Sequence, residues 1–140
     1  MKRMIFVLAS CMMLFGCFPM KYGLTPISPS DGQTVNSLKP TFAWEPYSDV
    51  KEGKENIRYR IFIKEDTTIV EYKGDIYNTS YTAEHQLLPN KEYNWCVQPT
   101  WTRNNHTEIG QCNYKQYYYF AVIVFGRTGG KPYTFKTPEK

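Results

Sequence analysis

The chain has 140 residues, 41% of them hydrophobic and 16% aromatic, with twelve tyrosines. That length allows one domain with a modest core, and the apolar content excludes a disordered chain. The formal charge is +4, but without Lys2 and Arg3 the other 15 basic residues face 13 acidic ones, interspersed rather than clustered, so nucleic acid is not an expected partner.

In chain order, Lys2 and Arg3 form a short positive segment, and an apolar run follows from Met4 to Phe15, broken only by Ser10 and Cys11. The run is shorter than the roughly 20 apolar residues that span a bilayer and matches the central part of a secretory signal. Within it, the tetrapeptides "LASC" and "LFGC" end on Cys11 and Cys17. This segment resembles a bacterial lipoprotein signal, in which a leucine and then a small residue precede the cysteine that receives lipid. Leu14, Gly16 and Cys17 fill those places. Cys11 fits the tetrapeptide as well, but cleavage there would shorten the apolar run to Met4–Ser10 and leave "MMLF" near the start of the mature chain. Cys17 is therefore the expected lipidation site, and the alternative is an ordinary cleaved signal with an incidental cysteine. Phe18 rather than Asp follows it, which by the same resemblance implies an outer-membrane lipoprotein, anchored by its acyl chains. The division implied is a signal peptide at 1–16, a lipidated tether at 17–25 and a folded domain at 26–140.

Once Cys11 is removed and Cys17 lipidated, Cys96 and Cys112 remain. An oxidising, exported compartment favours a disulfide between them, with two free thiols or a metal site as alternatives. A metal would need further ligands, and His85 and His106 stand far apart in the chain, so no metal and no cofactor are expected.

Beyond residue 20 the interior is rich in Tyr, Val, Ile, Phe, Trp and Thr, which suit a pleated, half-buried surface and predict an all-β fold. "PISPSDGQTV" is rich in turn residues, and "PTFAWEP" places Phe42 and Trp44 on one face of a short strand. "DVKEGKEN" reads as a charged, solvated loop. In "RYRIFIKED", Tyr59, Ile61 and Ile63 alternate with Arg58, Arg60, Phe62 and Lys64, the period of a half-buried strand. "TTIVEYKG" is a weaker strand. "SYTAEHQLL" puts Tyr81, Ala83, His85 and Leu87 on one face, with His85 expected as a partly buried strand residue. "EYNWCVQP" alternates Tyr93, Trp95 and Val97 inward against Asn94, Cys96 and Gln98 outward. Strands at this spacing describe a β-sandwich.

"LLPNKEYNWCV" resembles the tyrosine corner of fibronectin type III domains, with Leu87 six residues before Tyr93 and Pro89 in the intervening turn. "ISPSDGQTV…KPTFAWEP" resembles the first two strands of bacterial members, and "YTFKTPEK" their closing strand, which commonly ends in Phe-x-Thr. The resemblance covers roughly 26–100 and 131–138 and implies an immunoglobulin-like, fibronectin type III-like β-sandwich. It also implies that the Tyr93 phenol hydrogen-bonds backbone just upstream. Between Arg103 and Lys131 the chain departs from the family and carries nine consecutive aromatic or aliphatic residues from Tyr117 to Phe125. An extra strand or hairpin near the C-terminus is expected there. A three-residue loop at Arg103–Asn105 would set Cys96 opposite Cys112, with the bridge on the outer face of a sheet.

The candidate binding residues are Trp101, Tyr114, Tyr117 and Tyr119, read as exposed aromatics able to stack on sugars or anchor a protein interface. The competing reading makes the Tyr117–Phe125 run a central strand covered by the extra hairpin. Glu45, Asp49, Glu52 and Glu55 lie among lysines, and His106 lies near a turn, so both read as solvated. No nucleophile elbow, zinc-protease, phosphate-loop or paired-carboxylate pattern stands out, and an enzyme is not expected. The sequence reading is a membrane-anchored lipoprotein displaying a non-catalytic module, bound to an envelope protein as an accessory or exclusion factor. The alternative is a glycan-binding surface module.

Overall fold

A computed structural model of the chain describes residues 24–47, 55–113 and 130–139. All regular structure among them is strand: β1 (Pro26–Ser28), β2 (Gln33–Thr34), β3 (Thr41–Trp44), β4 (Glu55–Glu65), β5 (Thr68–Ile76), β6 (Ser80–Thr82), β7 (Glu92–Arg103), β8 (His106–Ile109) and β9 (Tyr133–Lys136). They form a three-stranded sheet, β1-β3-β6, and a six-stranded sheet, β2-β9-β7-β4-β5, with β8 also paired to β7. Every pairing is antiparallel except β2 with β9. The expected all-β, sandwich-like arrangement is present.

The two sheets meet through the residues whose period of two marks them as inward. Phe42 and Trp44 from β3 are buried with Tyr59, Ile61 and Ile63 from β4, Tyr93, Trp95 and Val97 from β7, and Phe135 from β9. Phe42 reaches across from the small sheet to the large one, its ring 5.1 Å from Trp95 and 5.4 Å from Phe135. Tilted and edge-on contacts of this kind add to the stabilisation from burial.

The chain crosses between the sheets after β6, and there the backbone is satisfied by side chains. Leu88 donates its N–H to the Tyr93 hydroxyl at 3.1 Å, and its carbonyl accepts from Thr137 Oγ1 at 2.7 Å. The phenol therefore bonds backbone upstream, as expected of it.

"SYTAEHQLL" does not run as one strand. β6 ends at Thr82; Ala83 and Leu87 are buried, but His85 is exposed and outside the strand. The cause is Glu71 on β5, a buried carboxylate that accepts from the Tyr81 hydroxyl, from Glu84 N at 2.7 Å and from His85 N at 3.2 Å. Taking two successive amides turns the backbone out of the extended path and clamps the edge of the large sheet to the connection leaving the small one. Replacing Glu71 with alanine strands these donors and is expected to destabilise the domain by about 2 kcal/mol in urea unfolding.

Burial, reinforced by the hydrogen bond to Glu71, raises the Tyr81 phenol above its ordinary range. From about pH 10 upward, unfolded Tyr81 loses a proton that the folded phenol keeps. The unfolded state then binds fewer protons, so stability falls as pH rises. A Tyr81→Phe protein is expected to lack that part of the alkaline decline.

β5 is the outer strand of the large sheet, with no partner on its far side among the described residues. Its pairing with β4 is interrupted twice, between Ile63 and Lys64 where Val70 is skipped, and between Tyr59 and Ile61 near Asp75. Asp75 has φ of 53°, a left-handed conformation that an aspartate tolerates. Glu71 and Lys73 pair with core-facing Ile63 and Ile61 and so lie on the inner side of the strand. Bulges and inward charges are both devices that stop an edge strand from recruiting another.

Candidate binding surface

β7 organises the region around Arg103, where the second hairpin begins. Along one edge it pairs with β9 from Glu92 to Trp95 and with β8 from Thr100 to Arg103. The hairpin to β8 turns through Asn104 and Asn105, with φ of 50° and 62°, the left-handed pair that a two-residue turn requires and that asparagine tolerates. The loop is thus one residue shorter than expected, with Arg103 opposite His106. Continued in register, it would set Cys112 opposite Val97 rather than Cys96.

Regular pairing stops at Ile109. Gly110 donates to the Pro99 carbonyl at 2.8 Å, and a β-carbon at Gly110 would lie 2.6 Å from the Pro99 ring and 3.1 Å from the Trp101 indole. Between the two partner strands, the Asn113 side chain accepts the Val97 N–H at 2.7 Å, standing in for a missing strand. Cys112 joins Cys96 in a disulfide with Cα atoms 5.4 Å apart. Cys96 pairs with Phe62 on β4, so the bridge lies on the outer face of the large sheet, as expected.

Trp101 is not an exposed aromatic. It is 8% exposed, its ring stacks on Tyr47 with centroids 5.3 Å apart, and its indole N–H donates to Glu108 at 2.7 Å. The reason is parity: Trp101 continues the odd-numbered, inward series Tyr93, Trp95, Val97 and Pro99 along β7. That signal was available in the sequence and points inward. Tyr114, Tyr117 and Tyr119, the run to Phe125, and both Cys11 and Cys17 lie outside the described residues.

The exposed aromatics are elsewhere. The outward residues of β4 are Arg58, Arg60, Phe62 and Lys64, and across the hairpin Phe62 faces Tyr72 with ring centroids 5.0 Å apart. Tyr72 is 53% exposed and Ile69, beside Lys64, is 51% exposed. Because Val70 is bulged, Ile69 and Tyr72 share this face although they are three positions apart.

Both arginines are held by aromatic rings. Arg60 lies with its guanidinium carbon 5.7 Å from the centre of Phe62 and donates from Nε to Gln98 Oε1 at 2.9 Å. Arg58 lies 4.9 Å from the centre of the Tyr77 ring, itself 69% exposed, and pairs with Asp75 at 3.0 Å. Asp75 satisfies Arg58 but no carboxylate among the described residues pairs with Arg60 or Lys64. The result is a surface of aromatic rings and guanidinium groups in mutual contact, the side chains that dominate binding energy at protein interfaces. No protein-family model matches the chain, and no curated protein or solved structure matches it.

Proposed function

We propose that this chain is a bacterial outer-membrane lipoprotein, anchored through acyl chains on Cys17, whose fibronectin type III-like domain binds another envelope protein without chemistry of its own. The anchor rests on the positive segment, the short apolar run and "LFGC". The family reading is supported by the strand order β1-β3-β6 over β9-β7-β4-β5, by the Tyr93 hydroxyl on Leu88 N, and by Thr137, the threonine of the Phe-x-Thr ending, which ties down the same Leu88.

The observation that carries the binding role is the outward Phe62–Tyr72 pair, with Tyr72 half exposed, flanked by two arginines that lie over aromatic rings. Exposed tyrosine rings also stack on sugars, and Tyr72 and Tyr77 make a glycan the second reading.

Intact mass of the protein extracted from bacterial membranes tests the anchor. The expected species is residues 17–140 carrying three acyl chains, and a Cys17→Ala chain is expected to lose both the acyl mass and membrane retention. A wild-type mature chain that begins elsewhere and carries no lipid overturns the anchored reading. Photo-crosslinking from position 72 in intact cells tests the binding role. A discrete protein adduct is expected; a carbohydrate adduct instead moves the glycan reading ahead.

A further inference from the structure

We propose that the outer face of the large sheet receives an acidic peptide segment of the partner, with the Arg60 guanidinium holding a carboxylate and the Phe62–Tyr72 pair forming the apolar floor beside it. This rests on the protein-binding reading above and adds the partner's chemistry.

Arg60 is prepared for such a ligand. A guanidinium has five N–H donors in one plane. The Arg60 Nε–H is spent on Gln98, which fixes the plane, and Phe62 supports it from one side. Neither terminal nitrogen has an ion-pair partner among the described residues, whereas the neighbouring Arg58 has its carboxylate in Asp75. An arginine whose orientation is already set loses little side-chain freedom when it takes a carboxylate in a forked, two-bond contact. Lys64 extends the positive potential along the same side of β4, next to exposed Ile69.

The shape of the floor favours a peptide over a sugar. The Phe62 and Tyr72 rings are tilted by 43° to each other and do not make a flat platform. Ile69, 51% exposed and paired with outward Lys64, extends the surface with a branched aliphatic group, which suits apolar side chains better than hydroxylated rings. A segment alternating acidic and apolar residues satisfies both halves of the site.

The test places a photo-reactive phenylalanine analogue at position 72 of the full-length lipoprotein in cells and maps the crosslinked peptide by mass spectrometry. The expected adduct contains Asp or Glu within a few residues of the attachment point. Arg60→Glu is expected to lower adduct yield at least about tenfold and Arg60→Gln by less, with Arg60→Lys recovering part of it. Reversing the mapped acidic residue to arginine is expected to restore yield to the Arg60→Glu protein. Thermal midpoints of the Arg60 variants within a few degrees of wild type show that binding, rather than folding, has changed; if Arg60→Glu fails this check, Arg60→Gln and Lys64→Glu carry the measurement.

A protein adduct with no acidic residue near the site, or one insensitive to all these charges, overturns the acidic-segment proposal while leaving protein binding standing. An adduct with carbohydrate alone, or none at all, overturns the protein-binding reading itself.

Discussion

Replacing Phe42 with alanine is expected to cost about 3–5 kcal/mol and to lower the melting temperature by on the order of 15 °C. Phe42 is fully buried and is the one β3 ring that touches both Trp95 and Phe135 on the opposing sheet. Truncation therefore removes the transfer energy of a whole aromatic ring and leaves a void between two sheets. The walls of that void cannot collapse, because Trp95 and Phe135 are held in register by the β7–β9 ladder. Circular dichroism melts of wild type and variant measure the shift. A loss below about 1 kcal/mol would mean that the sheets do not pack through this residue. Tyr72→Ala is the control: its ring is half exposed, and the expected loss is about 1 kcal/mol or less.

Joint replacement of Cys96 and Cys112 by serine is expected to cost about 3 kcal/mol. The bridge closes a loop with sequence separation 16, and the entropy removed from the unfolded chain by a cross-link of that span is of this size. The loss has a local component as well. β8 is held to β7 by only four residue pairs, and regular pairing has already stopped before Cys112. Without the bridge, the contacts left to hold the described segment Gly110–Asn113 include the Asn113 side chain on Val97 N and the Gly110–Pro99 bond. Urea unfolding with and without reductant reads the global cost. Hydrogen exchange is expected to show faster opening of Val97 than of Ile61, which β4 holds between two neighbouring strands.

How far the fold could be read from residues alone depended on how regular the local geometry is. Phe42, Trp44, Tyr59, Ile61, Ile63, Tyr93, Trp95 and Val97 are buried where a period of two places them, because strict alternation is a property of the backbone itself. Cys96 falls on the outer face for the same reason. Readings failed where a side chain intercepts the backbone or a strand gains a residue. His85 leaves its strand because Glu71, 14 positions away in sequence, takes its amide, and no local pattern records that. The hairpin at Asn104–Asn105 is one residue shorter than the cysteine spacing suggested, since the Cys96–Cys112 bridge forms beyond the end of regular pairing.

The surface was legible only in part. Arg58, Arg60, Phe62 and Lys64 follow from alternation as the outward side of β4, but the ring that completes the floor does not. Tyr72 meets Phe62 through a register that two irregularities reset. Trp101 is the opposite case. Its position along β7 already assigns it inward, because alternation from Tyr93 through Pro99 continues to Trp101.

The irregular edge of β5 has a meaning that depends on where the protein is held. A lipid-anchored domain, as proposed here, moves in two dimensions at a fixed height, so copies meet repeatedly with similar edges level with one another. Under that confinement the loss of rotational and translational freedom on pairing is largely prepaid, and even a weak strand-to-strand attraction would propagate into rows. A β5 edge kinked at Val70 and again near Asp75, with Glu71 and Lys73 on its inner side, does not offer a straight ladder to a neighbour. On the proposed membrane anchor, such an edge would let the domain be crowded and still keep its outer face for a different molecule.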